Sequence, residues 1–196
     1  DKNENLTQTT YPEGNIQKTV FDERDLPMQK TRGFGSTSPP PATVSFVYDG
    51  NRNPVQFIDA EDHDGGGNDK TLTAYDGFDR AKTVTDPVGD VTTMFYDPAA
   101  NAPRIRVEGN LGGPSRTNNN TAGNVLLAER FFLHDELNRV FRSDDALFQS
   151  QSTTRVVSLT EGPLVPGDGR INTRMDFDRS SRLVLRRDDD LHAAGT

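Results

Sequence analysis

The sequence predicts an all-β fold: tandem antiparallel β-hairpins laid side by side into one continuous, curved or spiralling sheet, as in the wall of a shell or a solenoid. Three observations predict it. An aromatic–Asp pair recurs as Phe21-Asp22, Tyr48-Asp49, Tyr75-Asp76, Tyr96-Asp97 and Phe177-Asp178, with His134-Asp135 filling the same slot by a different ring. A period-2 strand pattern runs up to the pair, as in Val91 to Tyr96 ("VTTMFY"), the period of a half-buried strand. Between pairs lies a second turn, seen in Asp86-Pro87-Val88-Gly89-Asp90 and again in Tyr11-Pro12-Glu13-Gly14-Asn15. There Pro presets φ and Gly accepts a positive φ, the chemistry of a chain reversal.

The Asp residues of the six pairs stand at 22, 49, 76, 97, 135 and 178. The first two spacings are therefore 27 residues, the third is 21, and the last two widen to 38 and 43. Insertions account for the unevenness. Ser36 to Ala42 ("STSPPPA") is Pro-rich, Asn110 to Asn124 is polar and Gly-rich, and Thr160 to Arg170 carries Gly and Pro again. Each falls between hairpins, where repeat arrays carry their loops. Residues 1–196 thus read as one array of about six hairpin units with no internal domain boundary. One stretch has a competing reading: "VLLAE" within Asn124 to Phe132 fits a short helix, whereas the alternating "ERFFLHD" that follows favours a strand.

Turn chemistry explains the residue types at each pair. An Asp opening a turn accepts a hydrogen bond from the backbone N–H two residues on. The ring before it offers flat area for stacking against the ring of the next hairpin. In a three-residue hairpin loop with a bulge, the third residue after the Asp takes a left-handed conformation. Asp25, Asp79 and Asn138 occupy that slot, and Asp and Asn tolerate it best after Gly. Positive φ is therefore expected at Asp79 and Asn138, with Gly a neutral or mildly stabilising replacement. The following Arg80, Arg139 or Arg182 is expected to pair with a neighbouring carboxylate.

Composition narrows the classes. Apolar residues make up 32% of the chain, low for a compact globule but natural for thin sheets with one solvated face. The net charge is -8 with both signs interspersed, so no basic stripe exists to track nucleic-acid phosphates. No apolar run approaches the roughly 20 residues of a membrane-spanning helix. Cys is absent, which removes disulfides, thiolate metal sites and thiol nucleophiles and leaves the redox compartment open. Beginning at Asp1 rather than Met, without a signal peptide, the chain reads as an excised or processed piece of a longer one.

The recurring Tyr-Asp pairs, the Arg after them and the stretch Thr85 to Asp97 ("TDPVGDVTTMFYD") resemble the YD-repeat family, also called RHS repeats. Its unit reads Tyr-Asp, two variable residues, Gly, Arg and an aliphatic residue. The resemblance covers essentially the whole chain. No copy keeps the Gly, whose slot holds Asp25, Arg52, Asp79, Ala100, Asn138 and Ser181. The Arg slot holds Leu26, Asn53 and Asn101 in the first, second and fourth copies, where altered turn geometry is expected. The family segment that closes the shell ahead of a variable C-terminal toxin is not among these residues.

What the resemblance implies is structural rather than catalytic: a stretch of a large secreted or cell-surface β-shell enclosing a toxin or effector segment. Its partners would be the remainder of its own repeat chain or neighbouring copies, and an enclosed C-terminal effector. The alternative is an extracellular adhesion or binding module or fibre subunit, with a calcium-dependent form of it open.

Candidate chemistry is sparse, and no catalytic, cofactor or metal residue is assigned. Of the three His, His134 takes a ring slot, and neither His63 nor His192 has a nucleophile in a recognisable context. Asp59 to Asp69 ("DAEDHDGGGND") gathers Asp62, Asp64 and Asp69 around a Gly run, resembling the start of a calcium loop without its closing Glu. Asn119-Asn120-Thr121 and Asn5-Leu6-Thr7 match the glycosylation acceptor pattern. A section of continuous sheet has two open edges and little apolar burial, so in isolation it is expected to be marginally folded or self-associating.

Overall fold

The computed structural model describes residues 1–60, 69–110, 119–147 and 170–190. Among them are thirteen strands and no helix: β1 (Gln8–Thr10), β2 (Ile16–Phe21), β3 (Pro27–Arg32), β4 (Ala42–Tyr48), β5 (Pro54–Ile58), β6 (Lys70–Tyr75), β7 (Ala81–Thr85), β8 (Val91–Phe95), β9 (Arg104–Gly109), β10 (Val125–His134), β11 (Val140–Leu147), β12 (Arg170–Phe177) and β13 (Leu183–Asp190). They form one sheet in which strand order follows chain order. The stretch with a competing helical reading is strand throughout, as β10.

Two compact units divide the chain. One comprises Asp1–Gly89 with Pro114–Asn120, the other Asp90–Gly113 with Thr121–Thr196. In the first unit β1 to β7 pair consecutively and antiparallel, and in the second β8 to β13 do the same.

The aromatic–Asp pairs close the hairpins. In five of them the register slips at the ring, so that Phe21 faces Pro27, Tyr48 faces Pro54, Tyr75 faces Ala81, His134 faces Val140 and Phe177 faces Leu183. Such a slip is a β-bulge, and it follows a tight turn whose third residue is left-handed. β2, β4 and β6 end in the same burial pattern: an exposed residue (Val20, Val47, Ala74), then a half-buried ring (Phe21, Tyr48, Tyr75). The three rings therefore hold equivalent strand positions.

The second turns form where Pro and Gly foretell them. Gly14 N–H donates to the Tyr11 carbonyl at 2.9 Å and Gly89 N–H to the Asp86 carbonyl at 3.0 Å, with φ of 85° and 91°. A third, Thr121 to Asn124, turns on Gly123 at φ 79°.

Burial is shallow, because a sheet with few apolar residues has nothing to pack into a second layer. Among the described residues Phe131, 3% exposed, is the one buried large apolar side chain. Strand-to-strand bonds and polar side chains must therefore carry much of the cohesion.

Candidate functional site

The most regular chemistry lies along the edge of the sheet where the aromatic–Asp corners sit. At the Asp76 corner, Oδ1 accepts N–H bonds from Phe78 at 2.9 Å and Arg80 at 3.1 Å. Oδ2 takes the Arg80 guanidinium, with Nε at 2.8 Å and a second nitrogen at 2.6 Å. The backbone closes the turn, Asp79 N–H to Asp76 carbonyl and Asp76 N–H to Arg80 carbonyl, at 3.1 and 2.9 Å. One carboxylate thus satisfies the donors that a chain reversal leaves unpaired. The Asp135 and Asp178 corners repeat this with Arg139 and Arg182.

The predicted left-handed slot is present at all six corners: Asp25, Arg52, Asp79, Ala100, Asn138 and Ser181 have φ between 58° and 72°. Arg80, Arg139 and Arg182 pair with a neighbouring carboxylate as expected, that of the Asp of their own corner. One expectation needs correction: the first, second and fourth corners keep the common geometry. Asn53 and Asn101 reach Oδ2 of Asp49 and Asp97 through their side-chain amides at 3.1 and 3.0 Å. Where Leu26 cannot do so, Arg24 supplies the guanidinium to Asp22 from two residues earlier. The geometry needs a planar donor at that oxygen, and the chain can deliver it from either place.

A seventh corner lies at Asp1, the first residue of the sequence. Asp1 Oδ1 accepts from Asn3 and Asn5 N–H at 2.9 and 3.0 Å, Asn5 reaches Oδ2 at 3.2 Å, and Glu4 has φ 65°.

Within each unit the corners are joined by side chains. In the first unit, Asn3 and Asn5 donate to Asp25 Oδ1 at 2.9 and 2.6 Å, and Asn51 and Asn53 donate to Asp79 Oδ1 at 2.8 and 2.7 Å. In the second, Asn101 donates to Asn138 Oδ1 and Arg139 to Ser181 Oγ, each at 3.1 Å. The direction is constant: donors of one corner reach the left-handed residue of the next. The link to the Asp49 corner, whose left-handed residue is Arg52, runs instead from Arg24 to the Asp49 carbonyl at 2.6 Å. An oxygen-bearing side chain in the slot therefore does something Gly cannot.

The tyrosines add a second tie. Tyr48 hydroxyl donates to the Pro27 carbonyl and Tyr75 hydroxyl to the Pro54 carbonyl, both at 3.1 Å. Each reaches the fifth residue after the preceding corner's Asp. Neighbouring hairpins are joined here through the phenol oxygen, where stacking of successive rings was expected; Phe46 and Phe57, with centroids 5.4 Å apart, pair instead within one hairpin. Where the ring is Phe177, the Arg139 guanidinium lies over it, 4.7 Å from the centroid.

These bonds set the electrostatics. Hydrogen bonds from Arg80 and Arg139 hold the Asp76 and Asp135 carboxyls below their ordinary value, and Asn101 does so for Asp97. At Asp22 the Leu26 backbone N–H is the largest cause of the lowering. Desolvation pushes Asp49 up, but the Asn53 and Asn51 donors outweigh it and the net direction is down. Asp25 is lowered by Asn3 and Asn5. Desolvation raises Tyr48 and Tyr75.

The second unit also carries a charged stretch of sheet. Glu129 and Asp144 are 4% and 2% exposed beside Phe131. Arg104 pairs with Glu129 and lies over the Phe95 and Phe131 rings, while Arg142 holds Asp144 at 2.7 and 2.8 Å. Each buried carboxylate has a guanidinium, as burial of charge requires.

The other sequence candidates fare unequally. Asp62 and Asp64, with His63, lie outside the described residues, as does His192; Asp69 is described, and its carbonyl accepts Asp59 N–H at 3.2 Å. Among the described residues no cluster of His, Cys, Asp and Glu is placed to hold a metal ion. His134 occupies its ring slot at the bulge. Asn119 is a clamp rather than a free acceptor for sugar: its amide donates to the Lys70 and Asp86 carbonyls at 2.7 and 2.6 Å, and its φ is 56°. The adjoining Asn120 backbone lies so near Gly89 that a Cβ there would meet the Asn120 carbonyl oxygen at 2.0 Å. Asn5 is likewise engaged, by Asp1 and Asp25. An open depression of about 420 Å³ lined by Tyr11, Asn15, Gln17 and Arg32 brings together no acid–base pair.

Fold and corner chemistry define a class: an open antiparallel sheet of hairpin repeats joined corner to corner. The chain is similar in fold to chains of two solved structures. One is the Tc holotoxin pore of Photorhabdus luminescens, determined with a mutation in TccC3 (TM-score 0.62, 18% identity, 94% of this chain and 8% of that chain). The other is a crystal structure of TcdB2-TccC3-TEV (TM-score 0.62, 15% identity, 94% of this chain and 8% of that chain). At these identities the likeness is one of fold. This chain spans less than a tenth of the length of either. No protein-family model matches it, and no curated protein matches it in sequence.

Proposed function

We propose that this chain is a structural segment of a YD-repeat (RHS-repeat) protein, one stretch of a β-shell wall around a toxin or effector segment in a large secreted or surface-displayed polypeptide. The observation that carries the reading is the corner ladder. The polar groups that recur most regularly are spent on one another, tying Asp79 to Asn51 and Asn53, and Ser181 to Arg139. They are building chemistry. The fold likeness to long chains of toxin assemblies supports the same reading.

An adhesive or fibre-forming module is the second reading, favoured by Phe78, which stands 81% exposed at the tip of the Asp76 corner. Electron cryo-microscopy of the full polypeptide carrying residues 1–196 separates the two. A wall segment appears as contiguous hairpins bounding an enclosed volume. A free sheet with solvent on both faces and Phe78 at a partner contact would establish the second reading instead.

A further inference from the structure

We propose that the depression between the β1–β2 turn and the end of β3 is a binding site for an organic carboxylate, whose anionic group is taken by the Arg32 guanidinium and whose flat or apolar body lies against Tyr11. The inference goes beyond the wall-segment reading and stands without it.

Strand register builds the site. Thr9 faces Gln17, Gln17 faces Arg32 and Arg32 faces Ala42, a row that crosses β1 to β4. Directly opposed residues share a face of the sheet, so Gln17 and Arg32 stand side by side between two short side chains. Tyr11 and Asn15 close one end. Their turn is held by Tyr11 N–H to the Asn15 carbonyl and Gly14 N–H to the Tyr11 carbonyl, both at 2.9 Å. At the other end Gly33, with φ 66°, turns the chain out of β3. The Phe34 ring that follows lies under Lys18, whose Nζ is 3.6 Å from the ring centroid. Lys18 points to the face opposite Gln17, so that ring leaves the Arg32 face open. What remains is the depression of about 420 Å³ lined by Tyr11, Asn15, Ile16, Gln17, Arg32 and Gly33, a size common among small-ligand sites.

The lining chemistry selects the ligand. None of the six residues is acidic. Arg24 and Arg80 of the same unit hold carboxylates of this chain, whereas the Arg32 guanidinium has no ion-pair or hydrogen-bond partner among the described residues. The Tyr11 hydroxyl donates to Gln17 Oε1 at 3.1 Å, which leaves the amide N–H groups of Gln17 to donate elsewhere. Asn15 brings a second amide. A guanidinium fork matches the two oxygens of a planar carboxylate, and the amides beside it serve the remaining lone pairs. The Tyr11 ring, 46% exposed, and Ile16 give a flat apolar flank. A planar anion on an apolar body fits this set, and a cation meets no negative charge in it.

Such a group comes either from a small acid or from the C-terminus of a peptide, and the test separates the sources. Saturation-transfer NMR is recorded on the full chain with four probes: benzoate, its uncharged analogue benzamide, acetyl-Gly-Gly-Phe with a free C-terminus, and inorganic phosphate. Benzoate, the peptide or both should bind with a Kd of about 1 mM, and benzamide and phosphate about tenfold more weakly or not at all. Arg32→Gln, which breaks no bond within the chain, should weaken binding about tenfold or more. Tyr11→Phe keeps the ring, releases the Gln17 amide and should weaken binding about threefold. Arg52→Gln, which removes another exposed arginine of the same unit, should change nothing. Binding of benzoate alone identifies a small acid, and binding of the peptide alone a peptide terminus. No binding of either acid, benzamide equal to benzoate, phosphate tighter than both acids, or equal losses in Arg52→Gln and Arg32→Gln would overturn the proposal.

Discussion

The side-chain amide of Asn53 donates to the Asp79 carboxylate at 2.7 Å, joining two corners whose partners lie 26 residues apart in the chain. Asp79 has a positive φ of 59°, a conformation Gly adopts at no steric cost. The acceptor explains its presence. The left-handed slot closes its own turn and receives the neighbour, and the second role requires an oxygen.

The hydrogen bond to Asp79 argues against Gly being neutral there. Asp79→Gly should destabilise despite relieving the backbone, Asp79→Asn should be close to neutral, and Asp79→Val should be worst, at about 1 kcal/mol or more. Urea melts of the three variants give the ranking. Gly equal to or above wild type would mean the amide bonds contribute nothing.

Removing one oxygen isolates the tyrosine tie. Tyr75→Phe keeps the ring and loses the bond to the Pro54 carbonyl, for about 0.5–1.5 kcal/mol. Hydrogen exchange should quicken at the β5–β6 junction first, as in arrays held by nearest-neighbour contacts. A Tyr75→Phe protein with unchanged melting and exchange would remove the hydroxyl from the account.

Acid should open the corners together. Asp22, Asp49, Asp76, Asp97 and Asp135 are held below their ordinary value of 3.8. A carboxyl with a depressed folded pKa stabilises the fold fully above its unfolded value and loses that contribution as pH falls through the folded one. The melting temperature attributable to these groups should be level above about pH 5 and fall steadily below pH 4. Circular dichroism melts from pH 7 to 2 test the sign; a melting temperature that rises on acidification contradicts it.

The clamp between the 119–120 loop and the Asp86 turn should be intolerant of change. Gly89→Ala puts a Cβ against the Asn120 carbonyl at a φ of 91° and should cost on the order of 2 kcal/mol or more. Asn119→Ala leaves the Lys70 and Asp86 carbonyls short of a donor, for about 1–3 kcal/mol. A glycosylating host should leave Asn119 of the folded protein unmodified. Mass spectrometry showing a glycan there with the fold intact would contradict the clamp.

Local features were legible in the sequence and relations between corners were not. Period-2 alternation and the aromatic–Asp pairs marked the hairpins, and Asp25, Asp79 and Asn138 marked the left-handed slot, because these depend on neighbours in the chain. The ladder stayed hidden because its chemistry is interchangeable. Arg24, Asn53 and Arg80 all supply a planar donor to the corner Asp, and Asp79, Asn138 and Ser181 all accept from the preceding corner, so no single residue type recurs. Asn119 escaped notice because a loop residue's distant partners leave no periodic trace.

A double-mutant cycle across one rung tests the central claim, that corner-to-corner bonds hold neighbouring hairpins together. Asn51 and Asn53 are replaced by Ala jointly, Asp79 by Ala singly, and the three together, with unfolding free energies measured in urea at pH 7. If the rung joins the hairpins, the effects are non-additive, with a coupling of about 0.5 kcal/mol or more. Additive losses would mean that each side chain acts only within its own turn and that the sheet is held by its backbone ladder alone.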